Sequence, residues 1–584
     1  MKRNIAFFIS TNAENSQSFI KARDHFENLA KFFGFQVFSL KLNKDKIKLY
    51  IIYEEEVTII QNKDTIEFPI GNLGETPLHY DRYLNIFIQK EEVVIKNDYA
   101  GSIPVFYSTR NYLSLSNIEP VVVFDSQTST NDISFENLYG FLRYSHFIWD
   151  ETAYTHINTM LPDSEYKFNT ENLKVDSQYL KTVRATDSNA HLTDKEVAKK
   201  LNELNDMLIY RSLSKYEQII LPLSAGYDSR MIFASLSKDE HLKKKLHCFT
   251  YGSVGSVEVE AARELTSLYK IAWKFIDLPC QFLKKEYLFA IHNIFGSSLH
   301  MHGMYQLEFF REIQKYIKLE ETTCLTSGFM TGVPAGQHNG KLGIKSSATS
   351  LTEAMNKFSQ SQYWKDEELK NLPIFKEKNY LETAEERFRK AFDRFEGEIY
   401  QKSVMFDIWT RQRNFISYYP RTLEWCIPVV SPHMNAEYAN FFMSLSEKHL
   451  NDRYAVELMF LYHYPEISKV ISNSNSLRAI NNPVDSFLFK ISSILRILKI
   501  NFILPQKYRN NLFDFDTKAL RNSGIEGIFP LLENQSTIRE IVDCLIGPDE
   551  ILNLYEMAYR GSTLAYNKLV SLQSLALSLL NMES

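Results

Sequence analysis

Cysteine is scarce in this chain: five in 584 residues, at Cys248, Cys280, Cys324, Cys426 and Cys544, with no CxxC spacing and no histidines clustered around them. That excludes a disulfide framework and a zinc module, and it fits buried free thiols of a reducing compartment. Long apolar runs are also missing. The first one, after Met1-Lys-Arg-Asn, ends within five residues, so a first strand is expected there rather than a leader, and no segment reaches the ~20 apolar residues of a membrane span. Neither sign of charge prevails: 66 basic against 71 acidic residues leave a formal charge of -5, which gives no electrostatic reason to expect nucleic acid as a partner. No fixed-period repeat and no low-complexity tract occurs. A cytoplasmic location is the expectation.

What is present is ample apolar material, 44% hydrophobic and 14% aromatic, in a chain long enough for two to four cores. To about Leu180 it reads as short alternating runs between polar turns. Strands are expected over Phe35–Leu40, Ile47–Tyr53, Val57–Ile60, Leu84–Ile88, Val93–Ile95 and Val105–Tyr107, with helices over Gln17–Phe33 and Glu136–Tyr144. A polar stretch from Thr182 to Thr193 suggests a domain boundary. After a helix over Asp194–Ser212 the pattern changes to strands alternating with helices. The strands are Gln218–Leu223, Leu246–Tyr251, Trp273–Leu278 and Thr322–Ser327, and the helices between them include Ser256–Tyr269 and Gln281–Ile294. That alternation predicts an α/β fold with a doubly wound parallel sheet, whose ligands sit beyond the carboxyl ends of the strands, so Ser224, Tyr251, Asp277 and Gly328 should converge. The remainder is expected to be helical, over Glu382–Phe395, Ser403–Tyr418 and Gly561–Met582, covering the sheet and shaping an acceptor pocket.

The most informative stretch is Leu221-Pro-Leu-Ser-Ala-Gly-Tyr-Asp-Ser-Arg230, a buried strand entering a small-residue turn and then a helix. Ser224, Ala225 and Gly226 let backbone N–H groups approach an anion at the positive end of that helix. Ser224 and Ser229 add hydroxyls. Asp228 supplies a hard carboxylate oxygen suited to Mg²⁺ bridging phosphates. No Gly-Lys-Ser/Thr follows, so this is not a Walker loop.

The stretch resembles the pyrophosphate loop Ser-Gly-Gly-x-Asp-Ser of the ATP pyrophosphatases, with Ala225 for the first glycine. Weaker segments in the matching order extend the resemblance to the asparagine synthetase family. Asp98-Tyr-Ala-Gly-Ser-Ile-Pro-Val-Phe-Tyr107 and Thr152 to Pro162 are similar to segments of its glutaminase half. Tyr251-Gly252 with Glu258 and Ala261-Ala262, Ser327-Gly328, and Ser431-Pro-His-Met-Asn435 are similar to segments of its synthetase half. The resemblance implies a glutamine amidotransferase-like (Ntn-type) α+β sandwich over 1–182 and an ATP-pyrophosphatase domain with a helical C-terminal part over 190–584. It implies ATP and Mg²⁺, an AMP-forming carbon–nitrogen ligase, a carboxylate substrate, and ammonia or an amine as donor; a homodimer stays open. The implied ATP and pyrophosphate residues are Leu223, Ser224, Gly226, Asp228, Ser229, Tyr251, Ser327 and Gly328, with Asp228 also on the metal. Glu258 is implied near the reacting groups. Arg230 is the nearest candidate cation for the leaving pyrophosphate, and Arg453 falls near an essential lysine of relatives.

Two departures stand beside these matches. Position 2 is Lys2 and no cysteine precedes Cys248, so the N-terminal nucleophile of the glutaminase half is missing. After Ser327-Gly328 no Asp or Glu occurs between Glu321 and Glu353, and Gly332 falls where an aspartate is expected, leaving Glu258 or Asp277 as candidate bases. Nominal asparagine formation, amidation of a uronic acid on a polysaccharide, lactam or peptide closure and a nucleotide-binding scaffold without catalysis all remain open, while an RNA-modifying pyrophosphatase is disfavoured by the acidic balance. His300, His302 and His338 are read as polar residues at the crevice rim, and Arg411 and Arg413 as a solvated helix face unless they reach an anionic acceptor.

Overall fold

The computed structural model describes residues 3–62, 65–72, 82–252, 254–278, 285–298, 306–360, 364–376, 378–470, 472, 491, 537–560 and 562–583. The molecule is mixed α/β, with antiparallel sheets first and a parallel sheet with helices after it.

Twelve strands make up the first half. They are β1 (Arg3–Ser10), β2 (Gln36–Leu42), β3 (Ile47–Glu54), β4 (Ile60–Gln61), β5 (Thr65–Asn72), β6 (Arg82–Gln89), β7 (Glu92–Asn97), β8 (Phe106–Ser108), β9 (Ser114–Ser116), β10 (Asn158–Thr159), β11 (Ser164–Asn169) and β12 (Val175–Tyr179). They form two six-stranded sheets in the orders β10-β8-β9-β1-β3-β2 and β12-β11-β7-β6-β5-β4. One cluster joins Phe7, Ile9, Leu49 and Ile51 of the first sheet to Phe68, Leu84, Ile86 and Ile95 of the second, so the two sheets pack face to face over a shared core. Strand β6 is buried at every second residue, the alternation a half-buried strand requires. β1 is buried along its whole length, because its other face lies under the helix Gln17–Phe33. That helix starts where the Ser16 hydroxyl accepts from Phe19 N–H and stops at Gly34, which takes the left-handed φ of 79° that a side chain would resist. Of the expected strands, Val57–Ile60 forms only at its last residue, as part of β4.

The second half is built on β13 (Gln218–Pro222), β14 (Leu246–Tyr251), β15 (Ala272–Ile276), β16 (Thr323–Thr326) and β17 (Val429–Val430), all parallel, in the order β15-β14-β13-β16-β17. Ile219, Ile220 and Leu221 are fully buried because helices cover both faces, as parallel sheets demand. Succession runs from β13 outward to β15 and then resumes on the other side with β16. The reversal point therefore lies between β13 and β16, and ligands of such sheets sit beyond the carboxyl ends of the strands at that point.

Side chains with buried charge fasten the halves together. Arg82, fully buried, meets Glu424 at 2.8 Å, and Trp409 Nε1 donates to the Tyr99 carbonyl at 3.0 Å. Arg413, expected on a solvated face, is instead buried. It donates to the Trp149 carbonyl at 3.2 Å and to Thr159 Oγ1 and the Met160 carbonyl at 2.6 Å each. Cys248 and Cys324 are buried as expected, Cys426 is half-buried, and Cys544 is exposed. Cys280, His300 and His302 lie outside the described residues. Among the described residues no helix is long and apolar enough to cross a membrane.

Candidate functional site

The turn after β13 is closed upon itself. Ser224 N–H donates to Ser229 Oγ at 3.1 Å, the two serine hydroxyls stand 3.1 Å apart, and Gly226 N–H donates to Ser224 Oγ at 3.2 Å. The N–H between them, that of Ala225, donates to Glu258 Oε2 at 2.6 Å. A carboxylate from the first turn of the helix Val257–Tyr269 thus sits where the loop presents a backbone donor to an anion. Gly226 caps the helix Tyr227–Lys238, which places Asp228 in its first turn.

Asp228 is the unusual member of the site. Its Oδ1 is out of solvent and has no hydrogen-bond partner. Burial raises its carboxyl above the ordinary aspartate value, and the charges of Arg453 and His338 pull it only partly back. A buried acceptor left unsatisfied costs about 1–3 kcal/mol, more when charged.

The segment after β16 is pressed against this aspartate. Ser327 N–H donates to the Val430 carbonyl at 2.8 Å, holding the end of β16 to β17. A Cβ on Gly328 would lie 2.9 Å from Asp228 Cβ, 3.0 Å from its carbonyl carbon and 3.1 Å from Ser229 N, so only glycine fits. A Cβ on Gly332 would stand 2.7 Å from Asp228 Oδ1 and against Gln337 Oε1. The position where an aspartate was expected is therefore spatially beside Asp228, and a side chain there would crowd the orphaned oxygen. Gly328→Ala should push the segment off the helix start, lowering stability by about 1–3 kcal/mol, the usual cost of overpacking; thermal unfolding checks it.

Arg453 also belongs to this group. Asp452 and Arg453 take left-handed φ values of 48° and 62°, and their N–H groups donate to the Gly336 and Ala335 carbonyls at 2.9 and 3.0 Å. Gly336, with φ of 73°, cannot carry a Cβ because the Leu450 carbonyl oxygen lies against it. This double tie sets the guanidinium 5.1 Å over the Tyr227 ring, with its Nε buried and unpartnered.

Other expected residues are placed differently. Arg230 is turned away from the loop's mouth: it donates to the Ile467, Val470 and Ala225 carbonyls at 3.3, 2.9 and 3.2 Å, and burial lowers its pKa to about 10. Two residues along a helix rotate about 200°, so with Asp228 facing the crevice Arg230 faces the core. Leu223 is framework: its side chain is buried, its N–H donates to the Phe249 carbonyl at 2.8 Å, and its carbonyl accepts from Thr250 Oγ1 at 2.7 Å. Tyr251, half-buried at the end of β14, packs on Phe309 with ring centroids 4.8 Å apart. Asp277 is exposed beyond the edge strand β15.

His338 was expected as a polar residue at the crevice rim. Its Nδ1 lies 2.5 Å from Oδ2 of the buried Asp407, a pairing across 69 residues that spacing alone does not disclose. Among the described residues no three His, Cys, Asp or Glu side chains cluster to hold a metal by themselves. Magnesium commonly takes one or two protein carboxylates and completes its shell with phosphates and water, and the unpartnered Asp228 Oδ1 fits that use.

Comparison with family models and with curated proteins finds no match to this chain.

Proposed function

We propose that the chain is an ATP-dependent, AMP-forming carbon–nitrogen ligase of the asparagine-synthetase type, with a sandwich that no longer hydrolyses glutamine and an ATP-pyrophosphatase domain after it. The observation that carries this reading is the buried, unpartnered Asp228 Oδ1 at the sheet's reversal point, beside a turn whose three successive N–H groups donate to the side-chain oxygens of Ser229, Glu258 and Ser224. A substrate carboxylate attacks the α-phosphate of ATP, and pyrophosphate leaves into the turn. There the N–H groups of Ser224, Ala225 and Gly226 and the hydroxyls of Ser224 and Ser229 take up the developing charge. Mg²⁺, held through Asp228, would neutralise charge on the departing phosphates. Arg453 adds fixed positive charge above Tyr227. The acyl-adenylate is then attacked by ammonia or an amine, and the walls contributed by Gly328 and the helices keep water from it.

The test is pyrophosphate release on mixing the full chain with ATP, Mg²⁺ and a panel of carboxylates that includes L-aspartate, D-glucuronate and D-galacturonate. Release dependent on one of them supports the reading, and no release above ATP alone with any carboxylate overturns it.

The N-terminal half is expected to release no glutamate from glutamine. Besides lacking a thiol before Cys248, it spends the Asp98 carboxylate on its own turn, accepting from Ala100 N–H, Ser102 N–H and Ser102 Oγ at 3.0, 3.1 and 2.7 Å. Glutamate appearing above background in a coupled dehydrogenase assay would refute this.

A further inference from the structure

A ligase of this kind must remove a proton from its nitrogen nucleophile, and the segment following Ser327-Gly328 has no acid to receive it. Glu258 is held to the Ala225 N–H, Asp277 is exposed beyond an edge strand, and Glu457 accepts the Tyr227 hydroxyl at 3.3 Å. One other group near Asp228 has proton-accepting chemistry. His338 follows Gln337, whose Oε1 borders the same Gly332 space as Asp228 Oδ1.

His338 is oriented as a base would be. Asp407, 3% exposed, fixes its Nδ1 at 2.5 Å, and the other Asp407 oxygen accepts from Gln412 Nε2 at 3.3 Å. Burial opposes the Asp407 charge, but His338, Arg411 and Gln412 together hold its carboxyl below the ordinary value. An anionic Asp407 takes the hydrogen of Nδ1, which leaves the lone pair on Nε2, and Nε2 makes no hydrogen bond among the described residues. The His338 side chain is 20% exposed. Asp407 also ends the helix Ile399–Asp407 where the backbone turns into the π-helical stretch Ile408–Ile416, a distortion frequent at functional sites because it re-aims side chains. One turn on, the half-buried Arg411 makes no ion pair among the described residues and leans on Phe415 at 5.3 Å.

We propose that His338, positioned by Asp407, is the proton acceptor of the amide-forming step. The proposal rests on the ligase reading. The nucleophile's nitrogen lone pair forms the C–N bond to the acyl carbon, and the acyl carbon–oxygen bond breaks with its electron pair leaving on AMP. The nitrogen's proton passes to His338 Nε2 and then to water. The charged or titratable groups around this imidazole are Asp407 and Arg411 with His146 behind them, Asp228 and Arg453 on the pyrophosphate side, and Lys341 on its own turn.

The experiment compares the full chain with His338→Ala, His338→Gln and Asp407→Asn, using ATP, Mg²⁺, the carboxylate panel, and either ammonium chloride or hydroxylamine as nucleophile. Hydroxylamine is largely unprotonated at neutral pH and needs little help from a base. The expected result is an unchanged ATP Kd by calorimetry, a retained first-turnover pyrophosphate burst, and amide formation from ammonium reduced about 100-fold or more in the His338 variants. Added imidazole should partly restore His338→Ala. Hydroxamate formation should be largely spared. Undiminished amide formation from ammonium in both His338 variants overturns the proposal while the ligase reading stands. Loss of the pyrophosphate burst along with the amide also overturns it, since His338 would then act before nucleophile attack. No pyrophosphate release from the intact chain with any carboxylate sinks the ligase reading, and this proposal with it.

Discussion

Asp228→Asn is expected to abolish carboxylate-dependent pyrophosphate release while making the folded chain more stable. The two effects have one origin. The carboxylate is kept in a place where burial opposes its charge and no donor reaches Oδ1, so it lowers the stability of the chain. The raised folded-state value fixes the sign: the native chain holds this proton more tightly than the unfolded chain does. Stability is therefore lost as pH rises from below the unfolded aspartate value, ~3.9, through the folded one. Asn carries no charge, so the variant's gain in Tm should be present at pH 7–8 and vanish near pH 3. Pyrophosphate release should fall by about 10²–10³-fold or more, the usual loss when one preorganised electrostatic group is removed from a reacting centre. A scanning-calorimetry series across pH, paired with the release assay, reads both. A lower Tm with intact release would mean that Asp228 is a structural cap and nothing more.

The parallel sheet was readable from the sequence because its strands are short, continuous apolar runs bounded by turns. β13, β14 and β16 fall on Gln218–Leu223, Leu246–Tyr251 and Thr322–Ser327 to within a residue. β17 was not, because two residues, Val429 and Val430, carry no periodicity. β12, whose central Asp176, Ser177 and Gln178 are exposed at the sheet edge, carries no alternation of apolar and polar residues to mark it. The Ser224–Ser229 turn could be recognised because its internal hydrogen bonds join neighbours in sequence. Glu258 on Ala225, Gly332 against Asp228 and Asp407 on His338 are contacts between distant segments, and only the fold brings them together. Direction was the other missing quantity. Arg230 and Arg413 were legible as cations near the right places, but their helix phases turn both inward, where they satisfy backbone carbonyls rather than an anion.

Glu258 separates two pictures of the resting site, and its removal has the second large expected effect. If the carboxylate were poised as a base, Glu258→Ala would leave nucleotide affinity unchanged and slow amide formation alone. The 2.6 Å bond to Ala225 N–H points elsewhere: the carboxylate lies on a donor that the leaving phosphates would use, and like charges cannot share it. Nucleotide must then displace Glu258 before the turn can close on phosphate, and the free energy of that charged hydrogen bond, about 1.5–3 kcal/mol, is subtracted from binding. Glu258→Ala should accordingly tighten ATP binding by roughly ten- to a hundredfold. Glu258→Gln, which keeps an oxygen acceptor without the charge, should fall between. Calorimetric titration of the three proteins with Mg-ATP measures the order. An ATP Kd that is equal or weaker in the alanine variant would show that the carboxylate is not a stand-in for phosphate, and the turn's closed geometry would need another cause.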